Sequence, residues 1–286
     1  MSASSNGYSL VLDVGNSNMF AGVIAGDGTI ALRFRKTSIQ SASADEYGVF
    51  LKSALRENGM DPAGVGRIAL CSVVPDTIYS IRRACQKYFG LDPFILRAGV
   101  KTGLHIAYRN PLEVGADRIA NAVAVTRRHP NRDCIVVDMG TATTFDAVSA
   151  TRKYLGGAIM PGMHISMEAL EHKTAKLPSV EITRPEVACG RSTVESIQSG
   201  LYFAHAGAIR ELVARIGEEC FGDPKPLTVA TGGFSQLFAD DDLFDEILPD
   251  LVLEGLWQAM LMNGDDAGAT PAPRTDDASR PSWRNV

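Results

Sequence analysis

Apolar and polar positions alternate at strand spacing through the opening of the chain. YSLVLDVGNSNMFAGVI holds two strand-like segments about a glycine-containing turn, and TIALRFRK supplies a third after the turn AGDG. No helix separates the first two strands. That excludes a Rossmann unit, in which a strand feeds a helix through GxGxxG; neither this pattern nor GxxxxGK(S/T) occurs in the chain. Helical spacing follows over ADEYGVFLKSALRENG, with Gly59 as its stop. RIALCSVV then predicts a buried strand, and PDTIYSIRRACQKYFG a helix opened by Pro75 and Asp76. A further helix is expected over about Val114 to Arg128.

The segment NRDCIVVDMGTATTFDAVSATRKYLGGAIMPG then repeats the opening design of strand, Asp-x-Gly turn, strand, turn, strand. Laying LVLDVGNSNMFAGVI over IVVDMGTATTFDAVS matches Asp13 with Asp138 and Gly15 with Gly140, so the chain reads as internally duplicated. Helices at about Met163 to Lys173 and Ser192 to Cys220, a strand in PLTVATGG and a last helix through LVLEGLWQAMLMNG complete the pattern. From Asp265 the polar, proline-rich sequence predicts a disordered tail.

Composition narrows the class. With 286 residues, 45% hydrophobic and 21% charged, the chain has the proportions of a globular protein able to bury a large core. A net charge of −5 is the wrong balance for neutralising nucleic-acid phosphates, so a nucleic-acid partner is not expected. The N-terminal stretch lacks a basic region, Asp13 interrupts its apolar run, and no run approaches the ~20 residues of a membrane span. The five cysteines are scattered without a CxxC pair, which speaks against a disulfide framework or zinc site and for the cytoplasm.

One Asp-x-Gly turn is most simply an ordinary hairpin turn. Two copies at equivalent places suggest a clamp, each glycine admitting phosphate to the backbone and each carboxylate able to hold a hydrated cation, hence an ATP site between two halves. A kinase also needs a group to take the proton of the attacking hydroxyl. NPLEVGADRIANAVAV offers Asp117 in the first turn of its helix beside Arg118. From that segment alone, a catalytic pair and a helix-dipole carboxylate with a surface arginine remain open alternatives.

Together, DVGNSN at 13, SVVP at 72, YRNP at 108, GADRIAN at 115, DMGTATTFD at 138, GGAIMPG at 156, TAKLP at 174, STVESIQSG at 192 and TGG at 231 resemble the type III pantothenate kinases, in that family's order and over residues 8 to 262. The family is a branch of the acetate and sugar kinase, Hsp70 and actin superfamily. The resemblance implies an α/β fold of two similar actin-like (ribonuclease H-like) domains, each a mixed sheet flanked by helices, with the nucleotide cleft between them. The corresponding division is 1–114, 115–264 and the tail 265–286.

The implied reaction moves the ATP γ-phosphate to the terminal hydroxyl of pantothenate, giving 4′-phosphopantothenate in the first step of coenzyme A synthesis. Asp117 matches the proton acceptor. The phosphates would lie on Asp13, Val14, Gly15, Asn16, Ser17 and Asn18 and on Thr141, with Asp13 holding magnesium. Asp138 matches the ligand of a monovalent cation, potassium or ammonium. Pantothenate would meet Tyr108, Gly115, Ala116, Asp117, Arg118 and Thr193. Arg118 would grip its carboxylate in bidentate fashion, and Thr193 would reach the partner's site in a homodimer. Ser17 stands where the family usually has threonine, which keeps the hydroxyl but not the restraint of the methyl.

His105, His129, His164, His172 and His205 are dispersed and read as structural or surface groups. Asp146 faces either the cleft or solvent. Glu195, three residues after Ser192, reads as a capping-box carboxylate. The competing functions are a non-catalytic, ligand-sensing protein of the same fold and a kinase for another hydroxyl acceptor.

Overall fold

The computed structural model describes residues 7–38, 41–222 and 224–264. β1 (Tyr8–Val14), β2 (Asn18–Ile24) and β3 (Ile30–Thr37) form the expected antiparallel meander. α1 (Ala44–Glu57) starts at Ser43, whose hydroxyl takes the Glu46 N–H while the Glu46 carboxylate takes the Ser43 N–H. β4 (Val65–Ser72) runs parallel to β1. α2 (Pro75–Phe89) ends on left-handed Gly90 and leads to β5 (Phe94–Ile95), which the sequence did not reveal. The first sheet has the order β3-β2-β1-β4-β5.

The second half contains β6 (His105–Ile106), α3 (Ala116–Arg128), β7 (Cys134–Met139), β8 (Ala142–Val148) and β9 (Lys153–Pro161). α4 (Met163–Lys173), α5 (Thr193–Cys220), β10 (Leu227–Thr231), β11 (Glu246–Ile247) and α6 (Leu251–Asn263) follow. The second sheet, β11-β10-β7-β8-β9-β6, repeats the first as 9-8-7-10-11 against 3-2-1-4-5, with β6 added at one edge. The duplication is present, and the fold is the actin-like pair of mixed sheets. The expected tail lies outside the described residues.

Two expectations are corrected. The helix expected from Val114 begins at Ala116, because Pro111–Glu113 forms a short 3-10 turn capped by Asn110 and Val114 is extended. The gapless overlay of the two hairpins slips by one residue after the turn. Asp13 pairs with Phe20, whereas Asp138 pairs with Thr144 and not with Phe145, so the second turn is one residue shorter. The structural counterpart of Gly22 is therefore Asp146.

α1 and α2 cover one face of the first sheet over Leu10, Leu12, Leu51, Leu55 and Ile81, and α4 and α5 cover the second over Ile135, Val137, Phe145 and Ile209. Between the sheets lie α3, against β7 and β8, and α6, against β1, β2 and β4. The two inner helices cross where Gly255 meets the Ala120 backbone so closely that a Cβ would collide with it. Leu253 and Leu256, both fully buried beneath α6, each contribute about 2 kcal/mol of apolar burial. The closing helix thus lies on the first sheet and β6 on the second, so the halves exchange elements across 114/115.

Candidate functional site

The Asp-x-Gly turns stand at the same end of their sheets, at the tips of the β1–β2 and β7–β8 hairpins. The Gly15 N–H bonds Asn18 O at 3.0 Å and the Gly140 N–H bonds Ala142 O at 3.1 Å, which tightens both turns. The N–H groups of Asn16, Ser17 and Thr141 have no hydrogen-bond partner among the described residues. A Cβ on Gly15 would come no nearer than 3.2 Å to another atom, and one on Gly140 no nearer than 3.6 Å. A Cβ at Gly15 would therefore crowd the Asn18 carbonyl, whereas one at Gly140 would meet only ordinary contacts. The turns touch directly, Ser17 Oγ lying 3.0 Å from Thr141 Oγ1 across 124 residues of sequence.

Behind the turns lie half-buried Asp13, Asp117 and Asp138. Burial pushes the Asp13 carboxyl up to about 7, Asp117 and Asp138 adding to the rise and the Cys71 thiol, 3.1 Å away, opposing it. Burial likewise raises Asp138 to about 7, again with Asp117 adding, while the Asn121 Nδ2–H donates to it at 2.9 Å. Asp117 is raised by burial, and the N–H it accepts from Arg118 at 2.8 Å and the Arg118 charge counter this. Three carboxylates facing one another with little countercharge make a site that gains from a cation. Among the described residues no three His, Cys, Asp or Glu side chains gather to hold a metal on their own. Asn121 Oδ1, buried beside Asp138, accepts no hydrogen bond among the described residues, and an orphaned carbonyl next to a carboxylate suits a large monovalent cation.

α3 carries a second group of the expected site residues. Its first turn presents Asp117 and Arg118, and Asn121 follows one turn on, on the Asp117 face. Arg118 is buried against Asp146 through Nε at 2.7 Å. Its side edge is thereby occupied, and only the Nη1–Nη2 end remains for a bidentate grip. Tyr108 stands by Tyr154, ring centroids 6.3 Å apart. The TGG segment borders the same cleft: Gly233 lies close to the Arg35 guanidinium, which stacks 4.5 Å over Phe20.

Most of the expected site residues therefore converge on one cleft. Thr193 does not. It is exposed at the start of α5, on an open groove of about 1020 Å³ between α4 and α5 that no other expected site residue lines. Glu195 takes the Arg191 N–H at 2.6 Å in place of that of Ser192, so the capping box is incomplete. His205 is buried, its ring nitrogens on Leu201 O and Pro161 O, and His164 packs edge-on to Phe234. Cys71, Asn121, Asp146 and Tyr154 were not singled out as site residues. Asn121 was legible as the fourth residue after Asp117 on one helix face; Cys71 is adjacent to Asp13 only through parallel strand register.

Comparison with known proteins agrees with this geometry. The family model described as type III pantothenate kinase matches residues 9–215. The type III pantothenate kinase of Legionella pneumophila (strain Corby) is 58% identical over 254 residues, covering 89% of this chain and 98% of the relative. That of Elusimicrobium minutum is 44% identical with the same coverage, 89% and 98%. A solved structure of a conserved putative Baf family transcriptional activator from Campylobacter jejuni superposes with a TM-score of 0.56 at 20% identity, over 89% of this chain and 98% of that one, and shows the shared fold. A putative 2-dehydro-3-deoxygalactonokinase from Sinorhizobium meliloti does so at 0.51 with 14% identity, over 88% and 96%. The chain belongs to the type III pantothenate kinase family.

Proposed function

We propose that the cleft residues divide the work of an ATP-dependent pantothenate kinase as follows. The activity itself, phosphorylation of pantothenate for coenzyme A synthesis, comes with membership of the family. The β- and γ-phosphates rest on the open N–H groups of the two turns, from Asp13 to Asn18 and at Thr141. Asp13 would hold magnesium, and Asp138, with Asn121 Oδ1, potassium or ammonium. Bound there, the cations would supply charge neutralisation at the transferring phosphoryl group, where such reactions need it most.

Asp117 takes the proton of the pantothenate hydroxyl as its oxygen attacks the γ-phosphorus and the bond to ADP breaks. Its raised affinity for protons suits a base. Tyr108, Gly115, Ala116 and the free end of Arg118 hold the acceptor. The parts 1–114 and 115–264 serve as two lobes whose approach shuts water out. The exposed apolar groove beside Thr193 suits a second copy of the chain, so that Thr193 completes the partner's acceptor site. Among the described residues no helix is long and apolar enough to cross a membrane, and the five cysteines are free thiols, which suits a reducing cytoplasm.

The observation that carries this reading is the Ser17–Thr141 contact, which joins the two turns directly over the three carboxylates. It is tested by ADP release with magnesium and potassium present, offering pantothenate beside glycerol, acetate and hexoses. Turnover confined to pantothenate supports the reading; binding without turnover would return the ligand-sensing alternative. The dimer is tested by mixing Thr193→Ala and Asp117→Asn subunits. Recovery of part of the lost activity supports shared sites, and none counts against them.

A further inference from the structure

Arg118 is 7% exposed and Asp146 is fully buried. Asp146 Oδ1 accepts the Arg118 Nε–H at 2.7 Å and the Tyr154 hydroxyl at 2.6 Å, while Oδ2 accepts from Thr144 at 3.3 Å. The Tyr154 ring lies 5.8 Å from the guanidinium carbon and also meets the Tyr108 ring at a tilt. Nη2 also touches Oδ1 at 2.7 Å, but off the line of a hydrogen bond, and this buried nitrogen has no hydrogen-bond partner among the described residues.

The duplicated scaffold does not depend on an ion pair at this position. In the other half the same contact, third residue of the inner helix against fifth residue of the second strand, is Leu253 on Gly22. A buried ion pair is, moreover, commonly no more stabilising than an apolar pair in its place. The second copy has thus placed a charge, an orienting carboxylate and a phenol where the first packs hydrocarbon, within one helical turn of Asp117.

We propose that Asp146, with Tyr154, is a positioning residue: it takes the side edge of Arg118 and so turns the opposite, Nη1-bearing end toward the carboxylate of the acceptor. This rests on the reading of Arg118 as the grip on that carboxylate. Asp146 touches no reacting atom. It sets the angle of the group that selects a carboxylate-bearing acceptor.

The test compares pantothenate with pantothenyl alcohol, which keeps the phosphorylated hydroxyl but lacks the carboxylate, taken as substrate or as competitive inhibitor of the full-length enzyme. Asp146→Asn should raise the KM for pantothenate about tenfold or more, equivalent to ~1.4 kcal/mol, with kcat and the KM for ATP little changed and the alcohol affected within about twofold. Tyr154→Phe keeps the ring and removes one donor. It should shift the pantothenate KM about threefold in the same selective way, and keeps the test open should the Asn variant not fold. Equal losses for both acceptors, or a loss confined to kcat, would overturn the proposal. Arg118→Ala separates the two readings. If it too treats both acceptors alike, the carboxylate grip itself fails; if it discriminates while both Asp146→Asn and Tyr154→Phe do not, the grip stands and the positioning role falls.

Discussion

α3 and α6 occupy equivalent places on their sheets and cross at Ala120 and Gly255, yet only one carries chemistry. Counting from each helix start, Asp117 corresponds to Val252, Arg118 to Leu253 and Asn121 to Leu256. The α6 set is buried hydrocarbon, and Gly22 beneath it admits Leu253 so closely that a Cβ would stand 2.7 Å from Leu253 Cδ1. The α3 set faces Asp146 and Asp138. The duplicated scaffold therefore repeats the Asp-x-Gly turn, while Asp117, Arg118 and Asn121 put polar groups on the inner helix where the other copy packs hydrocarbon. On the proposed reading, symmetry serves the nucleotide and its breakage serves the acceptor.

The sharpest way to break the comparison is to erase the feature that only α3 has. Asp117→Asn keeps shape and the first-turn position but cannot take a proton, and should lower kcat about 10³-fold, the middle of the range for a general base. ATP affinity, measured by calorimetry, should stay within a few-fold. An unaltered rate would remove Asp117 from the reaction and leave α3 no more catalytic than α6.

Truncating the apolar copy should do the reverse. Leu253→Ala empties a fully buried site between α6 and the first sheet, and should cost roughly 2–5 kcal/mol in denaturant unfolding. Under conditions where the variant stays folded, KM for pantothenate should hold. A selective pantothenate defect would mean that α6, too, shapes the acceptor site.

How much of this was legible from the chain follows the same division. The duplicated turns, α2, α4 and the last helix show in local pattern, because each depends on near neighbours: alternation, a proline at α2's first position, the return of Asp-x-Gly. The short strands β5, β6 and β11, two residues each, have no period to detect and exist only because a longer neighbour offers a free edge. Asp146 was the costlier omission. Alternation alone left it facing either cleft or solvent, and the gapless overlay set it one register off Gly22, concealing that it stands on the face where α6 packs in the other half. The difference between Gly15 bonding Asn18 and Gly140 bonding Ala142 decides this, and no residue type announces it.

The two turn carboxylates can be told apart by the ion each answers to. Asp13→Asn should weaken magnesium–ATP use about a hundredfold, comparable to losing one strong electrostatic contact to a developing charge, and leave the response to potassium. Asp138→Asn should abolish the difference between potassium- and sodium-containing buffer and depress the rate about tenfold, the smaller effect of a weaker, larger ion. Steady-state rates over a magnesium series and a potassium series would show it. If the two variants failed identically in both series, the turns would be chemically equivalent as well as duplicated.

The smallest effect belongs to the contact that joins the copies. Ser17 Oγ and Thr141 Oγ1 are 3.0 Å apart and the pair is largely open to solvent. A neutral hydrogen bond there is worth about 0.5–1.5 kcal/mol, toward the lower end when water competes. Ser17→Ala and Thr141→Ala should each raise the KM for ATP about threefold, and the double variant should add little, because either change alone already breaks the bridge. Ser17→Thr should restore or improve on the parent value, since the methyl restrains the rotamer while the hydroxyl stays. Full additivity in that cycle would mean that each hydroxyl meets the phosphates on its own, and that the cleft is closed by the nucleotide rather than by the protein.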